Sequence, residues 1–145
     1  MERPSVENLI SRAAEEHWEE LDLSNQRLME LPESIGNPTS LTKLNLRYND
    51  LTALPDSIGN LTNLTDLNLW DNNLIRLPKS ISNLTKLTTL DLSFDNLTTL
   101  SGSICNLTKI TNLSVRYNRL TELPESIGNL TNLNSLNLSS NKLTR

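Results

Sequence analysis

The chemistry open to this chain of 145 residues is narrow. It carries one histidine and one cysteine, His17 and Cys105. A nucleophile is activated only when a base stands within hydrogen-bond reach of it, and these two residues lie far apart in the sequence. No G-x-x-x-x-G-K-[ST] stretch is present to cradle a phosphate, no H-E-x-x-H to hold zinc and no acidic calcium loop. No metal or cofactor is therefore expected. Four carboxylates, Glu20, Asp22, Asp66 and Asp91, could pair for acid–base work, but such pairs are tuned by an enclosed, dry pocket. The formal charge of −4 argues against a nucleic-acid partner, which requires a basic face. No run approaches the roughly 18 apolar residues of a membrane span. The opening MERPSVENLI lacks the basic start and apolar run of a secretory leader. A cytoplasmic protein is expected, without a membrane partner and without an internal disulfide.

Whatever these residues do, a repeat must position them. The stretch Leu41 to Asn63, LTKLNLRYNDLTALPDSIGNLTN, returns in register every 23 residues, with copies beginning at Trp18, Leu64, Leu87, Ile110 and Leu133. Apolar residues recur at the slots of Leu41, Leu44, Leu46, Leu51, Leu54, Ile58 and Leu61, a spacing that no single helix or strand would produce. Alternation around Asp22, Asn45, Asn68, Asp91, Ser114 and Asn137 predicts one short strand per repeat, stacked in parallel about 4.8 Å apart. Pro32, Pro55, Pro78 and Pro124 predict a turn into a short helical segment. Ser34, Ser57, Ser80 and Ser126 are placed to cap it. Upstream, residues 5–17 predict an amphipathic helix with Ser5 as N-cap, Pro4 just outside and Glu7 in the first turn. Its apolar stripe is Val6, Leu9, Ile10, Ala13 and Ala14. Trp18 then fills the gap between that helix and the first repeat. The eight Asn-x-Ser/Thr triplets, among them Asn60, Asn63, Asn83 and Asn129, follow automatically from a repeat containing N-L-T and are not taken as glycosylation sites.

The motif L-x-x-L-x-L-x-x-N-x-L resembles the leucine-rich repeat family. The tail L-P-x-S-I-G-N-L-T-N is similar to the repeats of intracellular signalling scaffolds and many bacterial repeat proteins. The resemblance covers residues 18–145. It implies an α/β leucine-rich repeat solenoid, curved, with parallel strands on the concave face. A capping helix would occupy 1–17 and six repeats 18–145, the last incomplete. Extracellular relatives usually carry cysteine-rich caps, and none is present here. The family also implies that Asn49, Asn72, Asn118 and Asn141 turn inward, donating to and accepting from the backbone of the bend. Gln26 and Asp95 depart from that rule, and burial of Asp95 is expected to raise its pKa. The fourth repeat departs elsewhere too, at Ser101-Gly102 and Cys105, which predicts a looser outer bend near residues 100–106. The last repeat stops at Leu143-Thr144-Arg145, as in a fragment of a longer protein, and self-association through that uncapped end is a further expectation. The opening ISRAAEEHWEELDLSNQRLMELPESIG is similar to the start of the repeat domain in bacterial Roco-type GTPases. The GTPase segment itself is not in these residues, so no nucleotide role carries over.

The copies differ most at the two positions after the second strand leucine: Ser24-Asn25, Arg47-Tyr48, Trp70-Asp71, Ser93-Phe94, Arg116-Tyr117 and Ser139-Ser140. Four of the five aromatic residues fall there, and the returning halves hold none. Tyr48, Trp70, Phe94 and Tyr117 should form a strip roughly 15 Å long on the strand-lined face. Tyr, Trp and Arg are enriched at binding hot spots. A non-enzymatic module binding another protein or peptide is therefore expected, with Arg47, Arg116, Asp66, Asp71 and Asp91 setting specificity. The face offers about 500 Å², against about 800 Å² per partner in a standard interface, which suits a peptide, loop or single helix. Trp70→Ala is expected to weaken partner binding while leaving the melting temperature nearly unchanged.

Overall fold

The structure, a computed structural model, describes residues 5–144. The expectations attached to Pro4 and Arg145 lie outside the described residues. Because each strand half places one leucine on the inner face between two outward polar residues, each strand is only three residues long. They are β1 (Glu20–Asp22), β2 (Lys43–Asn45), β3 (Asp66–Asn68), β4 (Thr89–Asp91), β5 (Asn112–Ser114) and β6 (Ser135–Asn137). All pair in parallel in sequence order, and Leu21, Leu44, Leu67, Leu90, Leu113 and Leu136 face one another across the sheet. Pairing does not stop at the strand ends. The Leu46 N–H donates to Asn68 O (2.8 Å) and the Tyr48 N–H to Trp70 O (2.9 Å), and the same bonds recur along the array. On the entry side a threonine hydroxyl bonds the carbonyl one repeat earlier, as from Thr65 to Thr42 O and from Thr88 to Thr65 O.

The interior is stacked aliphatic side chains. Leu41, Leu44, Leu46, Leu51, Ile58 and Leu61 of the second repeat are all buried, as are their counterparts in the third and fourth. Such a core supports each repeat only through its neighbours. The returning halves are 3₁₀ turns: η1 (Glu33–Gly36), η2 (Asp56–Asn60), η3 (Lys79–Asn83), η4 (Gly102–Asn106) and η5 (Glu125–Asn129). The serines do not cap them, contrary to expectation. Proline occupies the cap position, and Ser57 Oγ and Ser80 Oγ are buried without a hydrogen-bond partner. Each serine stands two residues past the proline, already inside the turn. Only where Ser101 takes the proline's place does a hydroxyl accept, from the Ser103 N–H at 3.1 Å.

The fourth bend is not loosened at residues 100–106, since η4 is as long and regular as its neighbours and Cys105 is buried within it. What changes is the spacing between turns. η1, η2 and η3 approach one another more closely than η3, η4 and η5 do. A Cβ on Gly36 or Gly59 would lie 2.7 Å from the backbone oxygen of Ser57 or Ser80. In the later repeats Ser82 and Cys105 hold the same slot and the turns stand further apart. Gly59→Ala should therefore destabilise the protein by about 1–3 kcal/mol. Gly128→Ala, whose Cβ would meet nothing within 4 Å, should be neutral by thermal denaturation.

At the start of the array, α1 (Val6–Glu15) forms as its stripe predicts, with Ser5 Oγ accepting from the Asn8 N–H at 3.1 Å. Ile10 and Ala13 are buried against the first repeat. His17 adopts a left-handed φ of 55° and the Trp18 N–H returns to Ala13 O, which closes the helix. Trp18 is half-buried between helix and repeat, its Nε1 donating to Glu16.

Candidate interaction face

The chain alternates inward and outward along each strand, so the outward columns are fixed by the fold. One is Glu20, Lys43, Asp66, Thr89, Asn112 and Ser135. The next is Asp22, Asn45, Asn68, Asp91, Ser114 and Asn137. In the second column the side-chain oxygen takes the N–H two residues ahead, at 2.9–3.1 Å for Asp22, Asn45, Asn68, Asp91 and Asn137. This locks the exit of the strand and leaves a polar floor. The Ser24 hydroxyl and N–H, with a smaller contribution from Arg47, hold the Asp22 carboxyl below the usual carboxylate range. At the N-terminal end the floor opens into a shallow depression of about 460 Å³ lined by Glu20, Asp22, Lys43, Asn45, Asp66 and Asn68. Lys43 Nζ lies 3.7 Å from Glu20 there, an exposed pair that contributes little to stability.

Past the strands come the two variable positions. The first points outward with the columns and holds Arg47, Trp70, Ser93 and Arg116. The second turns into left-handed backbone in every repeat, with φ of 55–59° at Asn25, Tyr48, Asp71, Phe94, Tyr117 and Ser140. For Tyr or Phe that conformation costs about 1–2 kcal/mol. The interstrand bonds of the Tyr48, Phe94 and Tyr117 N–H groups hold it in place. This bend was not anticipated. Its signal was available in the same slot of other repeats, where Asn25 and Asp71 are residue types that tolerate positive φ.

All four strip aromatics are brought together. The Tyr48 and Trp70 rings meet edge to face with centroids 4.8 Å apart, and Trp70 and Phe94 do so at 5.2 Å. Phe94 and Tyr117 stack at 4.4 Å with planes 14° apart. Arg47 sits 5.3 Å from the Tyr48 centroid, and Arg116 sits 5.4 and 5.2 Å from Phe94 and Tyr117. Nearly equidistant from two rings so close together, Arg116 lies alongside the stack rather than between its members. The rings therefore shield part of one another's surface. Tyr48 is 38 % and Tyr117 47 % exposed, while Trp70 and Phe94 are half-buried.

This corrects one expectation. Trp70 stands in the outward column and braces a ring on either side, so it cannot be removed without a stability cost. Aromatic pairs are worth about 0.5–1.5 kcal/mol each beyond their burial. Asp66 and Asp91 lie on the floor and Asp71 is exposed on the lip beside Trp70, so all nine candidate residues share one side of the molecule. His17 ends α1 and Cys105 lies in η4, far from any shared site. Among the described residues no cluster of three His, Cys, Asp or Glu side chains could hold a metal, and no helix is long and apolar enough to cross a membrane.

The fold and the repeat place the chain in the leucine-rich repeat family. The profile described as "Leucine-rich repeat region" matches residues 58–144, and that described as "Leucine rich repeat" matches 16–74. Among solved structures, the ectodomain of the Arabidopsis thaliana receptor kinase SOBIR1 is similar at 30 % identity and a TM-score of 0.71, over 82 % of this chain and 68 % of that one. The ectodomain of the Arabidopsis thaliana receptor kinase GASSHO1/SCHENGEN3, solved with CASPARIAN STRIP INTEGRITY FACTOR 2, is 37 % identical with a TM-score of 0.76, covering 86 % of this chain and 16 % of that one. A leucine-rich repeat protein of Leptospira interrogans is 30 % identical with a TM-score of 0.54, over 86 % and 43 %. This chain thus spans less than half the length of the last two. No curated protein matches.

Proposed function

We propose that the protein is a non-enzymatic interaction module whose strand-lined face binds a peptide, loop or helix of another protein. The observation that carries this is the continuous ladder Tyr48–Trp70–Phe94–Tyr117, flanked by Arg47 and Arg116, on the one face that also bears Asp66, Asp71 and Asp91. Leucine-rich repeats are interaction domains in general, and the similar GASSHO1/SCHENGEN3 ectodomain was solved in complex with CASPARIAN STRIP INTEGRITY FACTOR 2. The open face, without an enclosed pocket around its carboxylates, supports recognition rather than catalysis.

The test uses displayed random peptides selected on the intact protein. Binders should lose at least ~100-fold in affinity on the Tyr48/Trp70/Tyr117 triple alanine variant, as removal of hot-spot residues worth about 2 kcal/mol or more implies. Trp70→Ala alone should also lower stability by about 1–3 kcal/mol, because two ring contacts and its burial go with it. Binders indifferent to the triple variant, and to charge reversal at Asp66, Asp71 and Asp91, would overturn the reading.

The similarity of the opening repeat to Roco-type proteins supports a variant of the same proposal, in which this chain is the repeat domain of a larger signalling enzyme such as a Roco-type GTPase and regulates it by binding one of that enzyme's own segments. Selected binders resembling no enzyme segment would count against that variant. A cytoplasmic setting is proposed with it, on the single cysteine and its burial as a free thiol. Glycan occupancy at Asn60 or Asn129 in the native protein would overturn that. Association of two chains through the β6 edge, where Leu136 is 39 % exposed, belongs to the same proposal. A sedimentation mass independent of concentration would remove it.

A further inference from the structure

The asparagine ladder has one gap, and its hydrogen-bond arithmetic does not close. In a regular repeat the asparagine Oδ1 takes the N–H of the residue 21 positions earlier, as Asn72 does from Leu51 (3.1 Å) and Asn118 from Leu97 (3.0 Å). Its Nδ2 donates to two carbonyls, 26 and 3 positions earlier. Each such carbonyl thus receives two amides. Leu46 O accepts from Asn49 (2.9 Å) and Asn72 (3.0 Å), and Val115 O from Asn118 and Asn141 (both 2.9 Å).

At Asp95 the acceptor half is normal, with the Leu74 N–H donating to Oδ1 at 2.9 Å. The donor half is missing. Oδ2 stands where Nδ2 belongs, in a side chain only 6 % exposed, and has no partner. The two carbonyls that register assigns to it, Leu69 O and Leu92 O, accept only from Asn72 (3.2 Å) and Asn118 (2.8 Å). By register, Asp95 Oδ2 therefore faces two carbonyl oxygens with no hydrogen between it and either of them. A metal ion would require six or more oxygens, and the slot offers three. A single proton fits, because an O–H···O bond spans about 2.5–3.0 Å, close to the spacing this slot holds in other repeats.

We propose that Asp95 is a proton-operated clasp: its carboxylic acid donates to Leu69 O or Leu92 O and holds the third and fourth repeats together at the residues next to Trp70 and Phe94 in the chain. Loss of that proton sets a buried carboxylate against two carbonyls and loosens the seam on which the aromatic ladder stands. The surroundings favour the neutral acid. Burial is the largest influence, opposed by the Leu74 N–H and reinforced by the charges of Asp71 on the third bend and Asp91 on β4, and together these raise the pKa to about 8. From the fifth repeat Asn118 presents an uncharged amide, and Arg116 is engaged beside Phe94 and Tyr117. The clasp stands whether or not the face above it binds a partner.

The sign follows from linkage. Between the ordinary pKa of 3.8 and about 8, the folded chain keeps a proton that the unfolded chain has lost, so stability is full below that window and falls as pH rises through it. Asp95→Asn supplies the missing donor permanently. Its urea midpoint at pH 8.5 should exceed that of the unsubstituted protein, and the difference should shrink toward pH 4. The Asp95 carboxyl carbon, followed by NMR in the unsubstituted protein, should titrate near pH 8, with a shift in Trp70 emission at the same midpoint. Titration near pH 4, or an Asp95→Asn difference that does not change with pH, would overturn the proposal. The carboxyl titration decides the matter even if the variant does not fold.

Discussion

Asn72→Leu is expected to lower stability by about 2–6 kcal/mol, since each buried backbone group left without a partner costs about 1–3 kcal/mol. The shape of the side chain is nearly kept, so the loss isolates the hydrogen bonds. Removing the carboxamide strips the Leu51 N–H of its acceptor and Leu46 O of one of two donors. Once Asp95 has lost its proton, above about pH 8, the substitution also leaves Leu69 O with none. Asn72 is therefore more exposed to loss than its repeated position implies: with Asp95 ionised it is the sole supplier. Urea denaturation above about pH 8, where Asp95 is ionised, checks the size. Asn72→Asp gives the internal control, since it keeps the acceptor and should be better tolerated in acid than in base. A cost below about 1 kcal/mol for Asn72→Leu would mean the ladder adds little beyond what water offers the unfolded chain.

That the ladder exists was implied by the family resemblance, and its chemistry is plain: a buried residue that must both donate and accept without charge has few alternatives to Asn. The strands were equally legible. Alternation over x-L-x fixes which face is buried, and the recurrence of 23 residues fixes the register between strands. Sequence reasoning failed where distance, not identity, decides. The serines after each proline belong to cap-forming residue types, but the turn begins at the proline, so their hydroxyls arrive two residues late. Gly36 and Gly59 share a slot with Ser82 and Cys105, and only the approach of neighbouring turns separates a required glycine from a tolerated one. The aromatic strip was legible as a set of Cβ positions. Its internal arrangement was not, because the left-handed bend at Tyr48, Phe94 and Tyr117 and the rotation of each ring are set by neighbours in space.

One step along the chain from Trp70, on the opposite face, Leu69→Ala should cost about 3–5 kcal/mol, in the upper part of the range for buried leucine. Leu69 has no exposed surface, and Leu46 and Leu92 occupy the equivalent slot on either side. The layers cannot collapse onto the vacancy. The backbone is pinned above and below by the Leu46 N–H to Asn68 O and the Leu69 N–H to Asp91 O, both 2.8 Å. The cavity therefore stays open, which is the condition for a large loss. Leu136→Ala provides the contrast, because that side chain is 39 % exposed and should cost about 1 kcal/mol or less. Position in the array matters as well as burial. In a solenoid stability is a sum over repeats and the interfaces between them. A defect in the third repeat weakens two interfaces and divides the rest into shorter arrays that bury less, so denaturation of Leu69→Ala should broaden as well as shift. Equal costs at Leu69 and Leu136, measured by urea titration, would mean that the stacked leucines do not carry the array.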